Sequence, residues 1–254
     1  MKKVKLIIGA LCMILLVSCE IVQETKFKTD GSGTYSLGFD LSEMMKMGSG
    51  LESKKENKQI DTVIVFAELL NTKKDSIAKL TKEQQEKLKN LEHFSLNIKT
   101  DTVSRKFEMK INYDFKDVAE LKLFSEKLKD QDIKELELLT NKTKSLKSGG
   151  KSKLPDFNKS YNTVFNNKKF SVKLTKQGLK EAEKNKDTTL TKNNPMANLV
   201  KFKSIYYFPH KIKKISSKNA RILPNFKGIE ITGNLYDINN NPKLFDVNIE
   251  FEKQ

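Results

Sequence analysis

The sequence predicts an α+β fold: a mostly antiparallel sheet with a few packed helices. Three observations carry that expectation. Apolar and polar residues alternate at period two in several stretches, the longest being Phe107, Met109, Ile111, Tyr113 and Phe115. Helical faces are few and short. Strand-like and helix-like segments cluster instead of alternating strictly, which disfavours a parallel βαβ sheet.

The elements follow in order. Tyr35, Leu37, Phe39 and Leu41 alternate with Thr34, Ser36, Gly38 and Asp40, so residues 24–41 predict a hairpin turning at Asp30-Gly31-Ser32-Gly33. Those glycines do not make a phosphate loop, since neither a strand-to-helix context nor a Gly-Lys-Ser/Thr accompanies them. Residues 42–47 predict a helical turn or two, with Met44, Met45 and Met47 as core filler. Residues 48–59 are polar and read as a loop. Residues 60–70, "IDTVIVFAELL", suit either a buried strand or a strand-to-helix junction. Residues 76–91 predict a helix: Ile77, Leu80, Leu88 and Leu91 share a face, and Thr81 to Gln84 fits a capping box. A strand pair follows, with Phe94, Leu96 and Ile98 on one member and 107–115 on the other. Asp117, with Glu120 three on, then starts a helix whose inner side is Val118, Leu121, Phe124 and Leu128.

Residues 131–156 are rich in Lys, Ser and Gly, with no face to bury, and read as a flexible linker or long loop. They separate an N-terminal β/α segment, 19–130, from a β-rich segment, 157–254. In the second, strands are expected around Phe170–Leu174 positions 170–174, at 200–208 up to Pro209, at 227–232 and at 245–251, with a polar helix at 177–186. The last two strands are expected as neighbours joined through "DINNNPK".

The first eighteen residues have a logic of their own. Lys2, Lys3 and Lys5 precede an apolar run, 6–17, that as a helix rises about 18 Å against a bilayer core of roughly 30 Å. Extending it to Val22 would bury Glu20, at a cost on the order of 3 kcal/mol. A secretory signal fits better than a spanning anchor. Leu16-Val17-Ser18-Cys19 resembles the bacterial lipobox. The resemblance implies a lipoprotein signal peptide, 1–18, cut before Cys19, with Cys19 carrying diacylglycerol. Each buried CH₂ contributes about 0.8 kcal/mol, so two or three chains would hold the body firmly. Of the two cysteines, Cys12 lies in the discarded run, leaving no disulfide to form.

Charge narrows the partners. The formal charge is +16, and of 48 basic residues only Arg105 and Arg221 are arginine. Bidentate reading of phosphate or guanine favours the arginine fork, so no nucleic-acid partner is expected. Lysines on solvated faces are the plain reading. The functional one is attraction to anionic lipid or polysaccharide, screened by salt over about 10 Å.

Beyond the signal, "DGSGTYSLGFDLSEMM", residues 73–98, residues 206–231 and the following "NPKLFDVNIEFE" are similar to lipoproteins of Bacteroidota, the flavobacterial group especially. The block around Phe208-Pro209 weakly resembles the LppM-type envelope domain. These likenesses imply an outer-membrane or periplasmic lipoprotein of the cell envelope and carry no activity with them. The acidic surface-export signal of that phylum is not evident in "CEIVQETK", so the expected location is the outer membrane facing the periplasm. That phylum O-glycosylates exported proteins at Asp-Ser/Thr followed by an aliphatic residue or Thr. Thr62, Ser76, Thr102 and Thr188 stand in such motifs. Asp75 and Asp187 also suit helix caps or turns.

Chemistry is sparse. His93 and His210 sit in no metal-ligand pattern and are expected at the surface or at strand ends, so no metal, cofactor or catalytic residue is assigned. No nucleophile elbow or Ser-x-x-Lys is present. Glu68, Glu108 and Asp114 read as a solvent face. The candidate interaction edge is Tyr206, Tyr207, Phe208, Lys211, Lys213 and Lys214, although a strand buried on both faces and ending at Pro209 is the preferred account of the aromatics. The expectation is a lipid-anchored, non-enzymatic binding or scaffolding module. Alternatives are a carrier of lipid or glycan in the sheet's concavity, and a hydrolase with a dispersed site.

Overall fold

The computed structural model describes residues 19–46, 59–124, 127, 160–198 and 200–253. The fold is α+β, built on two mostly antiparallel sheets. Strands β1 (Cys19–Phe27), β2 (Gly33–Asp40), β3 (Gln59–Val65), β4 (Phe94–Asp101) and β5 (Lys106–Phe115) come from the N-terminal segment. The C-terminal segment supplies β6 (Tyr161–Phe165), β7 (Lys169–Leu174), β8 (Val200–Tyr207), β9 (Ile212–Ile215), β10 (Ala220–Ile222), β11 (Gly228–Asn234) and β12 (Val247–Phe251).

The long sheet runs β10-β11-β8-β1-β2-β5-β4-β3, and the short one β6-β7-β12-β9. Both segments therefore contribute to the long sheet. They meet at its one parallel pair, β1 with β8, which sets Cys19 opposite Val200 and Lys26 opposite Tyr207. The stretch 131–156 lies outside the described residues.

Period-two patterning dictates the faces. Along β1, Cys19, Gln23, Thr25 and Phe27 are buried, while Glu20, Glu24 and Lys26 face out. In register with them, Tyr35 and Leu37 of β2 and Tyr113 of β5 point inward. The outer face is a polar ladder: Ser36 Oγ donates to Asn112 Oδ1 at 2.7 Å, and Asn112 Nδ2 to Ser95 Oγ at 3.1 Å. On this face Glu108 and Asp114 are six residues apart along β5, which is about 20 Å, and Glu68 is on a helix; the three form no pair.

The inner face is covered in two ways. Helices α1 (Ser42–Lys46), α2 (Phe66–Thr72), α3 (Lys74–Ile77), α4 (Lys82–Lys89) and α5 (Val118–Leu121) belong to the N-terminal segment, and Phe66, Leu88, Leu91, Leu121 and Phe124 join its core. Asp117 caps α5 by accepting from Glu120 N at 2.8 Å, as its sequence suggests. Over the C-terminal half lies the short sheet; α6 (Lys176–Lys184) follows β7, and α7 (Leu235–Asn240) packs on β8 and β11 of the long sheet. Between the sheets, Phe27 stacks on Phe165 at 4.3 Å and also meets Phe115, Phe170 and Phe208.

Several expectations change. Residues 60–70 form the strand-to-helix junction β3–α2. Residues 76–91 are not one helix: the capping box of Thr81 and Gln84 is present, and because it starts α4 it separates that helix from α3. The strands at 227–232 and 245–251 are not neighbours, since β11 lies in the long sheet and β12 in the short one. "DINNNPK" contributes to α7, capped by Asn234 and Asp237, instead of a tight turn. The side chains of Met44, Met45, Met47 and Leu128 lie outside what is described.

The β4–β5 turn yields a pH prediction. Asp101 Oδ1 accepts from Val103 N at 2.8 Å and Ser104 N at 3.2 Å, holding the turn that Arg105 completes at φ 51°. Hydrogen bonds from Ser104, then Val103, hold its carboxyl below the ordinary 3.8. A depressed folded value means the stabilisation is complete above the unfolded pKa and is lost as pH falls through the folded one. The Val103 and Ser104 amide shifts should therefore titrate with a midpoint below 3.8; a midpoint at or above it would refute this role.

Candidate functional site

Cys19 is the first residue of β1 and the first described residue, already inside the sheet. It is 8 % exposed, and its Sγ donates to Asp40 O at 3.2 Å. Burial, then the Asp40 charge, pushes the thiol up from its ordinary value, so it stays protonated at neutral pH. A thiol donor makes a weak bond, so this contact by itself adds little to holding the sulfur in place.

The sheet has two poles. Cys19 marks one, together with the start of β8, the end of β2 and the β4–β5 turn. At the other pole are the ends of β1 and β8 and the start of β11. Nine residues of β1 separate them, about 30 Å.

The six residues of the candidate edge are not one surface. Tyr206 and Phe208 point inward: Tyr206 lies 4.9 Å from the Phe170 ring, and Phe208 is buried among Phe27, Phe170 and Phe251. Burial pushes the Tyr206 hydroxyl up. Tyr207, outward and half-buried, receives Lys26 Nζ over its ring at 5.6 Å. Lys211, Lys213 and Lys214 are exposed. Alternation, preserved through β8, splits the aromatics between faces, so Tyr206 and Phe208 belong to the core side and not to an interaction edge shared with Tyr207 and the three lysines.

His210 stands at a strand end, two residues before β9, but not at the surface: it is buried at 5 % exposure, its ring 5.6 Å from Phe251. His93 precedes β4, half-buried, 6.4 Å from the Tyr113 ring. Among the described residues no group of His, Cys, Asp or Glu is placed to hold a metal ion. Of the glycosylation candidates, Thr62, Ser76 and Thr188 are exposed and Thr102 is half-buried. Asp187 is a turn residue, accepting from Thr189 N and Oγ1 at 2.8 and 2.6 Å, whereas Asp75 lies inside α3 and does not cap it.

Two hollows bear on the carrier reading. Between the sheets, Gln23, Thr25, Thr163, Ser204 and Tyr206 help line a cavity of about 20 Å³. It has room for one water-sized molecule and not for an acyl chain. Ser204 Oγ donates to Gln23 Oε1 at 3.4 Å, while Gln23 Nε2 has no acceptor. On the outer face, where Gly38 lacks a side chain, an open groove of about 300 Å³ lies between Glu20, Glu24, Asp40, Glu108 and Lys110. Its charges are partly paired, Lys110 to Glu24 at 3.7 Å and Lys203 to Glu20 at 2.7 Å. Neither hollow is lined by a histidine.

What sequence reasoning missed is the far pole. Phe226, in the β10–β11 turn, is 58 % exposed and holds φ 57°, a left-handed conformation that non-glycine residues adopt at a cost of about 1–2 kcal/mol. The available signal was the turn "LPNFKG", an aromatic set between turn formers and a lysine. No family model, no curated protein and no solved structure matches the chain.

Proposed function

We propose that the chain is a cell-envelope lipoprotein, held to a membrane through lipid on Cys19, whose α+β body is a non-enzymatic binding or scaffolding module. The carrying observation is in the sequence: a basic start, a twelve-residue apolar run, then Leu16-Val17-Ser18-Cys19. The place of Cys19, at the start of β1 and at one pole of the long sheet, is compatible with that reading. With Cys19 already paired to Val200, a lipid on its sulfur leaves no spacer between bilayer and sheet. The body would be held with its Cys19 pole toward the membrane.

The test is metabolic labelling in the native host. Labelled palmitate should enter the wild-type protein and be lost in Cys19→Ala, which should also leave the membrane fraction. Equal labelling of the two would sink the reading.

A further inference from the structure

We propose that the pole opposite Cys19 is a docking surface for an acidic polysaccharide. Hydrogen bonds between backbones tie its segments together. Phe208 N donates to Lys227 O at 2.7 Å and Ile212 N to Phe226 O at 2.8 Å. Glu252 N donates to Lys211 O and Phe251 N to Lys168 O, both at 2.9 Å. The β1–β2 turn lies alongside, since Lys26 is opposite Tyr207. Phe27, Phe165, Phe208 and Phe251 pack beneath as one aromatic cluster, so the surface rests on a rigid base.

Charge there is one-sided. Lys28, Lys168, Lys211, Lys227 and Lys253 each come from a different turn or tail, and all are exposed. None is within ion-pair distance of a carboxylate among the described residues. The acids at or beside this end are Asp30, whose Oδ1 accepts from Ser32 N and Oγ at 3.0 and 2.7 Å, Glu252, Glu250 opposite Lys169, Asp114, which accepts from Thr34 Oγ1 at 2.8 Å, and Glu24, which pairs with Lys26 at 2.7 Å. The outer-face groove, by contrast, has a majority of acids.

Phe226 gives the surface its second character. Its backbone is pinned, Phe226 N donating to Leu223 O at 2.9 Å, in the conformation that projects the ring into solvent. A left-handed backbone at an exposed aromatic is the kind of local strain found at contact sites. Ammonium groups on flexible stems suit carboxylates spaced along a polymer, where no fixed fork is needed. An aromatic ring among them suits the apolar face of a sugar. A bilayer is the poorer occupant: in the proposed anchorage this pole is about 30 Å from the membrane, beyond a Debye length of about 8 Å. Only that direction rests on the anchor; the surface itself does not.

The test uses the full chain in detergent, with polygalacturonate as probe, dextran as its uncharged control and phosphatidylglycerol vesicles as the rival anion. Polygalacturonate should bind, dextran should not, and added salt should weaken binding steadily. Lys211→Glu with Lys227→Glu should cost at least about tenfold in affinity. Phe226→Gly should also weaken binding while raising the unfolding midpoint, because glycine relieves the left-handed strain. The same binding should persist in Cys19→Ala, which separates a failure here from a failure of the lipid anchor. No binding at low salt, binding indifferent to these substitutions, or vesicles bound in preference to polygalacturonate would overturn the proposal.

Discussion

Phe27→Ala is expected to lower the thermal unfolding midpoint by about 10 °C in a single, still cooperative transition. Phe27 ends β1 and reaches across to the short sheet, with ring centroids 4.3 Å from Phe165, 5.6 Å from Phe170 and 6.2 Å from Phe208. Truncating a buried phenylalanine costs about 3–5 kcal/mol, from lost transfer energy and the cavity left behind. In a chain of this size each kcal/mol shifts the midpoint by roughly 2–4 °C. Phe27→Leu, nearer in volume, should lose less than half as much. Circular dichroism melts check both. A shift under 3 °C, or a split into two transitions, would mean that the sheets do not share a core at this position.

Gly33→Ala is the second large effect, for a reason local conformation does not supply. Gly33 has no positive φ; Gly31 does, at 87°, and is the residue the turn itself requires. At Gly33 a Cβ would lie 2.0 Å from Lys26 O and 2.7 Å from Phe115 Cζ. A backbone carbonyl cannot swing aside, so the β1–β2 end must splay. The expected cost is about 3 kcal/mol, the upper part of the range for overpacking. Phe115→Leu should not rescue it, because the nearer obstacle is main chain. Denaturant unfolding of the single and double variants decides, and full rescue by Phe115→Leu would show the conflict to be with the ring alone.

Much of the strand content was legible beforehand. The alternation of residues 107–115 and 245–251, and the Asp117 and Thr81 caps, are local signals that the fold obeys. The short strands β6, β9 and β10 were not legible. Unlike five-residue β12, they lack a clean apolar–polar alternation, and each is held by its neighbour in a sheet: β6 by β7, β9 by β12, β10 by β11. The six-residue edge was misjudged for a related reason. Composition brought Tyr206 and Phe208 together with Lys211, Lys213 and Lys214, but inward or outward orientation is decided by register against β1 and β11.

By itself the sequence determined the α+β class, the β1–β2 and β4–β5 strand pairs and the caps at Thr81 and Asp117, because each depends on residues a few positions apart along the chain. Only the tertiary structure decided that β1 and β8 join both segments in one sheet, that the last two strands part into different sheets, and that backbone hydrogen bonds bring the segments carrying Lys168, Lys211 and Lys227 together. These arrangements are contacts across long stretches of chain. Their energies come from burying faces against one another, and no local pattern encodes which face a strand will meet.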